Sequence, residues 1–256
     1  MINNLFSLKG KTALVTGGSQ GIGKAISLAL AQNGANIIIN YRSGKELAEQ
    51  TAGELLGMGI KCHLIQCDLS LLDSAKTISA FIRNNKLEVD ILVLNASVQI
   101  RKTWDEVTPE EYDLQLNTNF RASLFLIKEL YPLMYQKRWG RILTIGSVQQ
   151  VRAHQQMIVY AASKVAQVSM VKSLAPQFAP FGVTINNLAP GAIATGRNEE
   201  VLADKNYRAL VESKIPVGYV GEAYDCASLA LLLCSEAGRY ITGQDMFVDG
   251  GMGLNF

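Results

Sequence analysis

The stretch Thr12-Ala-Leu-Val-Thr-Gly-Gly-Ser-Gln-Gly-Ile-Gly23 determines the fold that we expect for this chain. Its first five residues suit a short buried strand, its glycines suit a turn, and apolar residues at helical spacing follow as far as Asn33-Gly34. Glycines in such a turn let a phosphate group approach the helix N-terminus, where free N–H groups and the helix dipole favour anions. The stretch therefore predicts a dinucleotide-phosphate site, although the same glycines would also permit close strand–helix packing alone.

The remainder of the chain continues this alternation of strands and helices. Further strands are predicted at 35–40, 61–66, 89–94, 142–145, 183–188 and 246–248. Helices are predicted at about 22–33, 44–58, 71–84, 109–136, 157–179 and 223–234. Because strands alternate with helices throughout, we expect an α/β fold: a three-layer, doubly wound parallel sheet of the Rossmann type. No repeat or linker divides the sequence, so residues 1–256 are expected to form a single domain, with a flexible flap over about 195–216.

Three signals predict helix ends and breaks. Ser70 is expected to cap the helix at 71–84. Thr108, Pro109 and Glu111 have the order of a capping box with proline at the first helical position. Pro132 is expected to bend or interrupt the long helix that follows them.

The composition indicates a globular protein without nucleic-acid or membrane partners. The chain has 256 residues, 48% apolar and 18% charged, and its formal net charge is +2. No apolar run reaches the ~18 residues of a membrane span, and the N-terminus lacks the pattern of a signal peptide. The 4 cysteines form no CxxC pair, and the chain has only 2 histidines. We therefore expect reduced thiols, no bound metal and a cytoplasmic location.

A second informative stretch is Tyr160-Ala-Ala-Ser-Lys164, which opens an apolar helical run. Positions i and i+4 of a helix share a face, so Tyr160 and Lys164 would point into the same cleft. A neighbouring ammonium favours the charged form of a phenol, which suits a general acid/base. The pair alone is weak evidence, because a helical tyrosine beside a lysine is usually a surface pair.

Four motifs together resemble the short-chain dehydrogenase/reductase family: the glycine-rich turn, Asn95-Ala-Ser97, Tyr160-x-x-x-Lys164 and Pro190-Gly191. Their order and spacing match over residues 11–251. The resemblance implies an NAD(P)-dependent enzyme that interconverts a secondary alcohol and a carbonyl. One departure is Ser97, where the family usually has glycine; a small hydroxyl there would narrow the cofactor cleft slightly.

The resemblance also implies a catalytic tetrad of Asn119, Ser147, Tyr160 and Lys164. Tyr160 would be the general acid/base, Ser147 would bind the reacting oxygen, Lys164 would hold the nicotinamide ribose, and Asn119 would support a water chain to Lys164. Asn117 is an alternative to Asn119, although the distance back from Ser147 favours Asn119. The implied cofactor contacts are Gly17, Ser19, Gln20, Gly21, Ile22, Gly23, Tyr41, Arg42, Ser43, Asp68, Leu69, Asn95, Ala96, Ser97, Tyr160, Lys164, Pro190, Gly191, Ile193 and Thr195.

The end of the second strand, Asn40-Tyr41-Arg42-Ser43, bears on the choice of cofactor. A carboxylate there would bind the ribose 2′-hydroxyl of NAD, and none is present. Arg42 and Ser43 suit a 2′-phosphate, so NADP(H) is favoured over NAD(H). Two observations keep NAD open: Arg42 would also suit a solvated surface, and Gln20 stands where some NADP-using relatives carry a basic residue.

The segment between Ser147 and Tyr160 is expected to line the substrate pocket, and it is unusually polar. Apolar ligands need apolar walls, so this segment favours a polyhydroxylated substrate: a sugar, a sugar acid or a polyol. His154 suits a surface or structural role better than a catalytic one. The predicted substrate contacts are Ser147, Gln149, Arg152, His154, Tyr160 and Arg197, with Ser97, Gln99, Arg101 and Asn198 as further candidates.

Two other functions stay open. A 3-oxoacyl-(acyl-carrier-protein) reductase would share the pattern at 140–147, and it would need a basic docking patch, for which Lys102, Lys137, Arg138 and Arg141 are candidates. A non-catalytic sensor of NADP(H) is the alternative of another class, although such proteins usually lose the tyrosine or the lysine. Family members commonly form tetramers, so a homotetramer is expected, built through helices 109–136 and 157–179 and through 223–234 and 246–248.

Overall fold

The computed structural model of the chain describes residues 2–254, with the side chains of residues 2, 3, 197 and 199–201 outside the described part. Its strands are β1 (Thr12–Thr16), β2 (Asn36–Tyr41), β3 (Cys62–Gln66), β4 (Ile91–Leu94), β5 (Gly140–Ile145), β6 (Val183–Pro190), β7 (Ile193–Ala194), β8 (Gly221–Glu222) and β9 (Asp245–Val248). Seven of them form a parallel sheet in the order β3-β2-β1-β4-β5-β6-β9, and β7 and β8 form a separate pair.

Helices cover both faces of this sheet. They are α1 (Gly21–Gln32), α2 (Lys45–Gly57), α3 (Ser74–Asn84), α4 (Pro109–Leu116), α5 (Ala122–Lys137), α6 (Ile158–Phe178), α7 (Gly196–Ala203), α8 (Lys205–Glu212) and α9 (Ala223–Cys234). Helices α1, α2 and α9 pack on one face, and α3, α5 and α6 pack on the other. The predicted three-layer parallel sheet is confirmed.

Strands β1 and β4 are largely apolar, without alternation, because both of their faces are buried. In β1, Leu14 belongs to the core beneath α3, α5 and α6, whereas its neighbour Val15 belongs to the core beneath α1 and α9. Both side chains are 0% exposed. Burial on two faces is the reason that short apolar runs identified the strands in the sequence.

The helix ends match the sequence signals only in part. The capping box at Thr108 is confirmed, since its side chain accepts the N–H of Glu111. The cap at Ser70 is wrong, because Asp68 accepts the Ser70 N–H at 2.8 Å and holds the chain in a turn, so that α3 begins only at Ser74. Pro132 does not break the helix either: α5 runs through it, and the interruption is a π-helical turn at Asn117–Arg121.

The topology places a crevice at the carboxyl ends of the strands. Strand order reverses between β1 and β4, and ligands of doubly wound sheets bind outside such a switch point. The predicted flap contains α7 and α8, two short helices; its mobility stays a prediction. None of the helices in the described chain has the length and apolarity that a membrane crossing requires.

Candidate active site

A cleft of about 540 Å³ opens at the carboxyl ends of the strands. Its walls include every residue for which a cofactor contact was predicted, from the turn after β1 to Thr195. Three predicted tetrad members, Ser147, Tyr160 and Lys164, line the same cleft. The structure thus brings together, in one cavity, motifs that are up to about 180 residues apart in the sequence.

The glycine-rich turn forms the end of the cleft where phosphate binding is predicted. Gly17 and Gly21 have φ angles of 61° and 54°, a region that favours glycine. A Cβ atom on Gly23 would lie 2.2 Å from the backbone oxygen of Gly17, so close packing also requires this glycine. No described side chain caps α1 at Gln20, so the first N–H groups of the helix can bind an anion.

The adenosine end is built from the ends of β2 and β3. The Asn40 amide nitrogen donates to the backbone oxygen of Cys67 at 3.0 Å and ties these two ends together. Arg42 and Ser43 follow β2 and line the cleft, and Asp68 and its neighbour Leu69 line it after β3. A basic and a hydroxyl side chain are therefore available beside the predicted ribose position.

Asn95 joins β4 to β1 at the floor of the cleft. Its amide nitrogen donates to the backbone oxygens of Thr16 at 2.9 Å and Gly17 at 3.1 Å. The Thr16 hydroxyl in turn accepts the backbone N–H of Asn95 at 2.9 Å. These bonds fix the glycine-rich turn against the neighbouring strand.

Tyr160 and Lys164 lie on the wall contributed by α6, where their side chains are almost fully buried. The ammonium nitrogen of Lys164 is 5.6 Å from the centre of the Tyr160 ring. It donates to the backbone oxygen of Ile145 at 2.6 Å and to the side-chain oxygen of Gln167 at 3.1 Å. The Ser147 hydroxyl oxygen accepts the N–H of Gln149 at 3.2 Å, which leaves its own proton for donation.

Asn119 lies behind the cleft wall, inside the π-helical turn. Its carboxamide accepts the N–H of Val98 at 2.8 Å and donates to the Val98 oxygen at 2.9 Å. It also donates to the Ser163 hydroxyl at 3.0 Å, on the helix that carries Tyr160 and Lys164. Asn119 therefore links α6 to the segment after β4, while Asn117 does not reach the cleft.

The opposite end of the cleft is polar and basic. Gln149, Arg152 and His154 all line it, as predicted. The guanidinium of Arg152 donates to the backbone oxygen of Met252 at 3.0 Å, and the Nδ1 atom of His154 accepts the N–H of Gln156 at 3.1 Å. The Arg197 side chain, also predicted here, lies outside the described residues.

Charge and burial act together on His154. Partial burial lowers the pKa of its imidazole, and the positive charges of Arg101 and Lys214 lower the pKa further. The sequence reasoning had considered Arg101 but not Lys214. Lys214 follows α8, and only the fold brings it beside residues that are about 60 positions earlier.

Two further wall atoms are polar, buried and without a hydrogen-bond partner in the described chain: Oε1 of Gln149 and Oγ1 of Thr118. Buried polar atoms usually have partners, so these two are suited to a ligand. Sequence reasoning also missed other parts of the wall, which come from α7, α8 and the C-terminal segment. These residues are Leu202, Tyr207, Val211 and Met252.

The described cysteines and acidic residues indicate neither a nucleophilic thiol nor a metal site. All four cysteines are free thiols, and burial raises the pKa of Cys62 to about 11 and that of Cys226 to about 12. Thiols with raised pKa values are poor nucleophiles at neutral pH. Among the described residues, no cluster of histidine, cysteine, aspartate or glutamate could hold a metal ion.

Comparison with known proteins agrees with this geometry. A family model described as enoyl-(acyl carrier protein) reductase matches residues 17–253. The chain is 34% identical to 3beta-hydroxysteroid dehydrogenase 1 of Eggerthella lenta over 248 residues, which cover 96% of this chain and 95% of the relative.

Solved structures are similar over nearly their whole length. A 3-oxoacyl (acyl-carrier-protein) reductase from Agrobacterium tumefaciens with NADP bound has a TM-score of 0.93 and 33% identity, covering 98% of this chain and 97% of that one. A gluconate 5-dehydrogenase from Burkholderia cenocepacia, in complex with NADP and tartrate, has a TM-score of 0.92 and 28% identity, covering 98% of both chains. Because the family model spans most of the sequence and the motifs meet in one cleft, the chain belongs to the short-chain dehydrogenase/reductase family and is an oxidoreductase.

Proposed function

We propose that this protein interconverts a secondary alcohol and a carbonyl with NADP(H), acting on a polar polyhydroxylated substrate, and that a sugar acid fits it better than a neutral sugar or polyol. The observation that carries the proposal is the character of the cleft beyond Ser147. Among the described residues, that region combines basic side chains that no carboxylate of the wall balances with buried hydrogen-bonding atoms that have no partner.

The cofactor end of the cleft fits a nicotinamide dinucleotide. The uncapped N-terminus of α1 and the two glycines with positive φ provide a cradle for a pyrophosphate. Arg42 and Ser43 would bind a 2′-phosphate, because arginine forms strong charge-assisted bonds with phosphate. When bound, the nicotinamide supplies the redox chemistry, and the residues of the chain supply orientation and proton transfer.

Each catalytic role follows from the position of a side chain. Tyr160 would donate a proton to the substrate oxygen during reduction and remove it during oxidation, because its phenol is on the cleft wall. Ser147 would donate a hydrogen bond to the same oxygen. Lys164, held from behind by Ile145, would keep its positive charge next to Tyr160 and bind the nicotinamide ribose. Asn119 would keep α6 in register with the cleft floor.

The substrate end has an excess of positive charge. Arg101, Arg152 and Lys214 all line the cleft, whereas Asp68 is the single carboxylate among its described wall residues. Asp68 follows β3 at the adenosine end, so it does not compensate these charges. A carboxylate on the substrate would meet that excess, and its hydroxyl groups would satisfy Gln149.

A substrate panel tests the proposal. We expect oxidation of aldonates with NADP to exceed that of aldoses, polyols, steroids and apolar alcohols. Lys214→Gln and Arg101→Gln should each raise KM for an aldonate about tenfold or more, since a hydrogen bond to a charged group contributes about 1.5–3 kcal/mol. KM for any neutral sugar that is turned over should change little. Exclusive activity on apolar ketones or acyl thioesters would overturn the choice of substrate.

The four basic residues that were candidates for a carrier-docking patch give little support to the acyl-carrier reductase alternative. Lys102 pairs with Glu111 at 2.6 Å, and Lys137 pairs with Glu88 at 2.7 Å. Arg141 is buried, and Arg138 donates to the Pro180 oxygen. These four basic residues therefore form no free basic patch for an acidic carrier protein.

The sensor alternative has less support, because Tyr160 and Lys164 are both present and both line the cleft. Turnover of any substrate of the panel would exclude a purely regulatory role. We also propose a cytoplasmic location, which the four unpaired thiols support.

We propose a homotetramer as the working assembly. Apolar side chains are exposed on the helices that were predicted to meet partners: Tyr112 (47%), Phe125 (43%) and Val165 (48%). Tyr224 on α9 and Phe247 on β9 are exposed at 57% and 38%, at the second predicted interface. Light scattering during size-exclusion chromatography tests this, and a monomer at micromolar concentration would contradict it.

A further inference from the structure

Gln167 is a buried amide that joins two members of the proposed tetrad. It lies one helical turn after Lys164 on α6, and its side chain is 0% exposed. Its amide oxygen accepts from the Lys164 ammonium at 3.1 Å, and its amide nitrogen donates to the backbone oxygen of Asn119 at 2.8 Å. An ammonium only donates and a carbonyl only accepts, so these two partners fix the orientation of the amide.

The Asn119 carbonyl that accepts this bond lies within the π-helical turn. Within the turn, the N–H of Ala122 bonds to the oxygen of Asn117, five residues earlier, so the regular helical ladder is shifted. The Asn119 oxygen then accepts two side-chain donors, the Ser123 hydroxyl at 3.0 Å and Gln167. Gln167 also approaches the Ser123 hydroxyl at 3.3 Å, which completes a small buried network.

This network is shielded from water. Asn119 is 0% exposed, Lys164 1% and Ser123 4%. Hydrogen bonds in such an environment are stronger than in water, and an unpaired polar group there is costly. The ammonium of Lys164 is therefore held from two sides, by Ile145 at the end of β5 and by Gln167.

We propose that Gln167 is a positioning residue that holds the Lys164 ammonium in the place required to bind the nicotinamide ribose. The inference depends on the proposed function, in which Lys164 has that role. Gln167 spans the path between Lys164 and the Asn119 carbonyl along which the sequence predicted a water chain. A carboxamide does not titrate near neutral pH, so Gln167 holds Lys164 in place and relays no proton.

A double-mutant cycle on cofactor affinity tests the inference without any substrate. The Kd for NADPH is measured by calorimetry for wild type, Gln167→Met, Lys164→Met and the double variant, and thermal unfolding confirms that each is folded. Methionine keeps the length of glutamine and removes its three hydrogen bonds. We expect Gln167→Met to weaken NADPH binding about fivefold, which corresponds to about 1 kcal/mol. In the Lys164→Met background, the same change should have no further effect, because Gln167 acts through the ammonium.

Gln115 provides a matched control. It is also a buried amide, with bonds to the Ile100 N–H and the Glu111 oxygen, and it does not contact Lys164. Gln115→Met should lower the melting temperature as Gln167→Met does and leave the Kd for NADPH within about twofold of wild type. Gln167→Glu keeps an acceptor for the ammonium and should retain near wild-type affinity, which provides a second variant should Gln167→Met not fold.

The outcomes separate this inference from the proposed function. Wild-type protein that fails to bind NADPH, or Lys164→Met protein that binds it undiminished, would contradict the proposed role of Lys164. A full effect of Lys164→Met with no effect of Gln167→Met would overturn only the role of Gln167. Two other results would also overturn it. One is an equal loss of NADPH affinity from Gln167→Met in the wild-type and Lys164→Met backgrounds. The other is a Gln167→Glu variant that binds NADPH as weakly as Gln167→Met.

Discussion

The backbone oxygen of Gly17 lies so close to Gly23 that a Cβ atom on Gly23 would be 2.2 Å away from it. The same Cβ atom would be 2.5 Å from the Asn95 amide nitrogen, which holds the turn against β4. The first helical turn of α1, the glycine-rich turn and the end of β4 therefore pack without room for any side chain at this position. Close packing, one of the two readings of the glycines, therefore applies to Gly23, and phosphate binding by the turn stays a prediction beside it.

Gly23→Ala should consequently lower both stability and cofactor affinity. We expect a loss of about 1–3 kcal/mol in the free energy of unfolding, typical of overpacking, measured by urea denaturation. The Kd for NADPH should rise in parallel, because the turn must shift. Gly53 on α2 is the matched control: nothing lies within 4 Å of its added Cβ atom, so Gly53→Ala should stabilise the helix by about 0.5–1 kcal/mol. A Gly23→Ala protein as stable as wild type would contradict the packing described.

Arg42 is the test of cofactor choice. Arg42→Ala should weaken NADPH binding roughly 10- to 100-fold, because a hydrogen bond to a charged group contributes about 1.5–3 kcal/mol. NADH binding should change little, since NADH lacks the 2′-phosphate. Arg239, exposed and remote from the cleft wall, allows the same change of charge as a control. Equal losses for both cofactors in Arg42→Ala would remove the basis for preferring NADP(H).

The imidazole of His154 predicts a pH dependence of substrate binding. Burial and the charges of Arg101 and Lys214 lower the pKa of His154 in the free enzyme below its ordinary value of 6.5. A bound carboxylate offsets those charges and favours the protonated ring, so binding takes up a proton. Affinity for an aldonate should therefore rise as the pH falls through the pKa of the ring in the complex, by up to about tenfold per pH unit for one linked proton.

Calorimetric titrations of an aldonate between about pH 5 and pH 8, a range that spans the ordinary pKa of histidine, would measure this effect. His154→Gln should flatten the dependence, and a neutral sugar should show none of it. An aldonate affinity that falls in acid would indicate that the substrate carboxylate binds elsewhere.

Much of the fold was predictable because its signals are local. Strands buried on both faces are visible as apolar runs, and the capping box at Thr108 specifies a helix start within four residues. The errors in the predicted helix boundaries arose where contacts made by residues outside the predicted helix determine the structure. Asp68 delays the start of α3 through its bond to Ser70, and the π-helical turn before Ala122 is stabilised by Gln167, which is 45 or more positions later in the sequence.

The site divides in the same way. Motif residues carry their spacing in the sequence, and the residues predicted to contact the cofactor all line the cleft, while the contacts themselves stay a prediction. Lys214 and Met252 line the cleft only because the C-terminal third of the chain folds back over it. No sequence motif near either residue predicts this position. Gln167 could have been found from the sequence by one weak indication. It is a polar residue three positions after Lys164, on a helix face that is otherwise suited to the core.

The central claim is that the Tyr160 phenol transfers the proton, and the turnover number of Tyr160→Phe tests it most directly. We predict a fall of at least about 10²–10⁴-fold, with NADPH affinity and melting temperature close to wild type. Tyr240→Phe, at a fully exposed position, should have wild-type turnover. A Tyr160→Phe enzyme that retains near-normal rates would contradict the account.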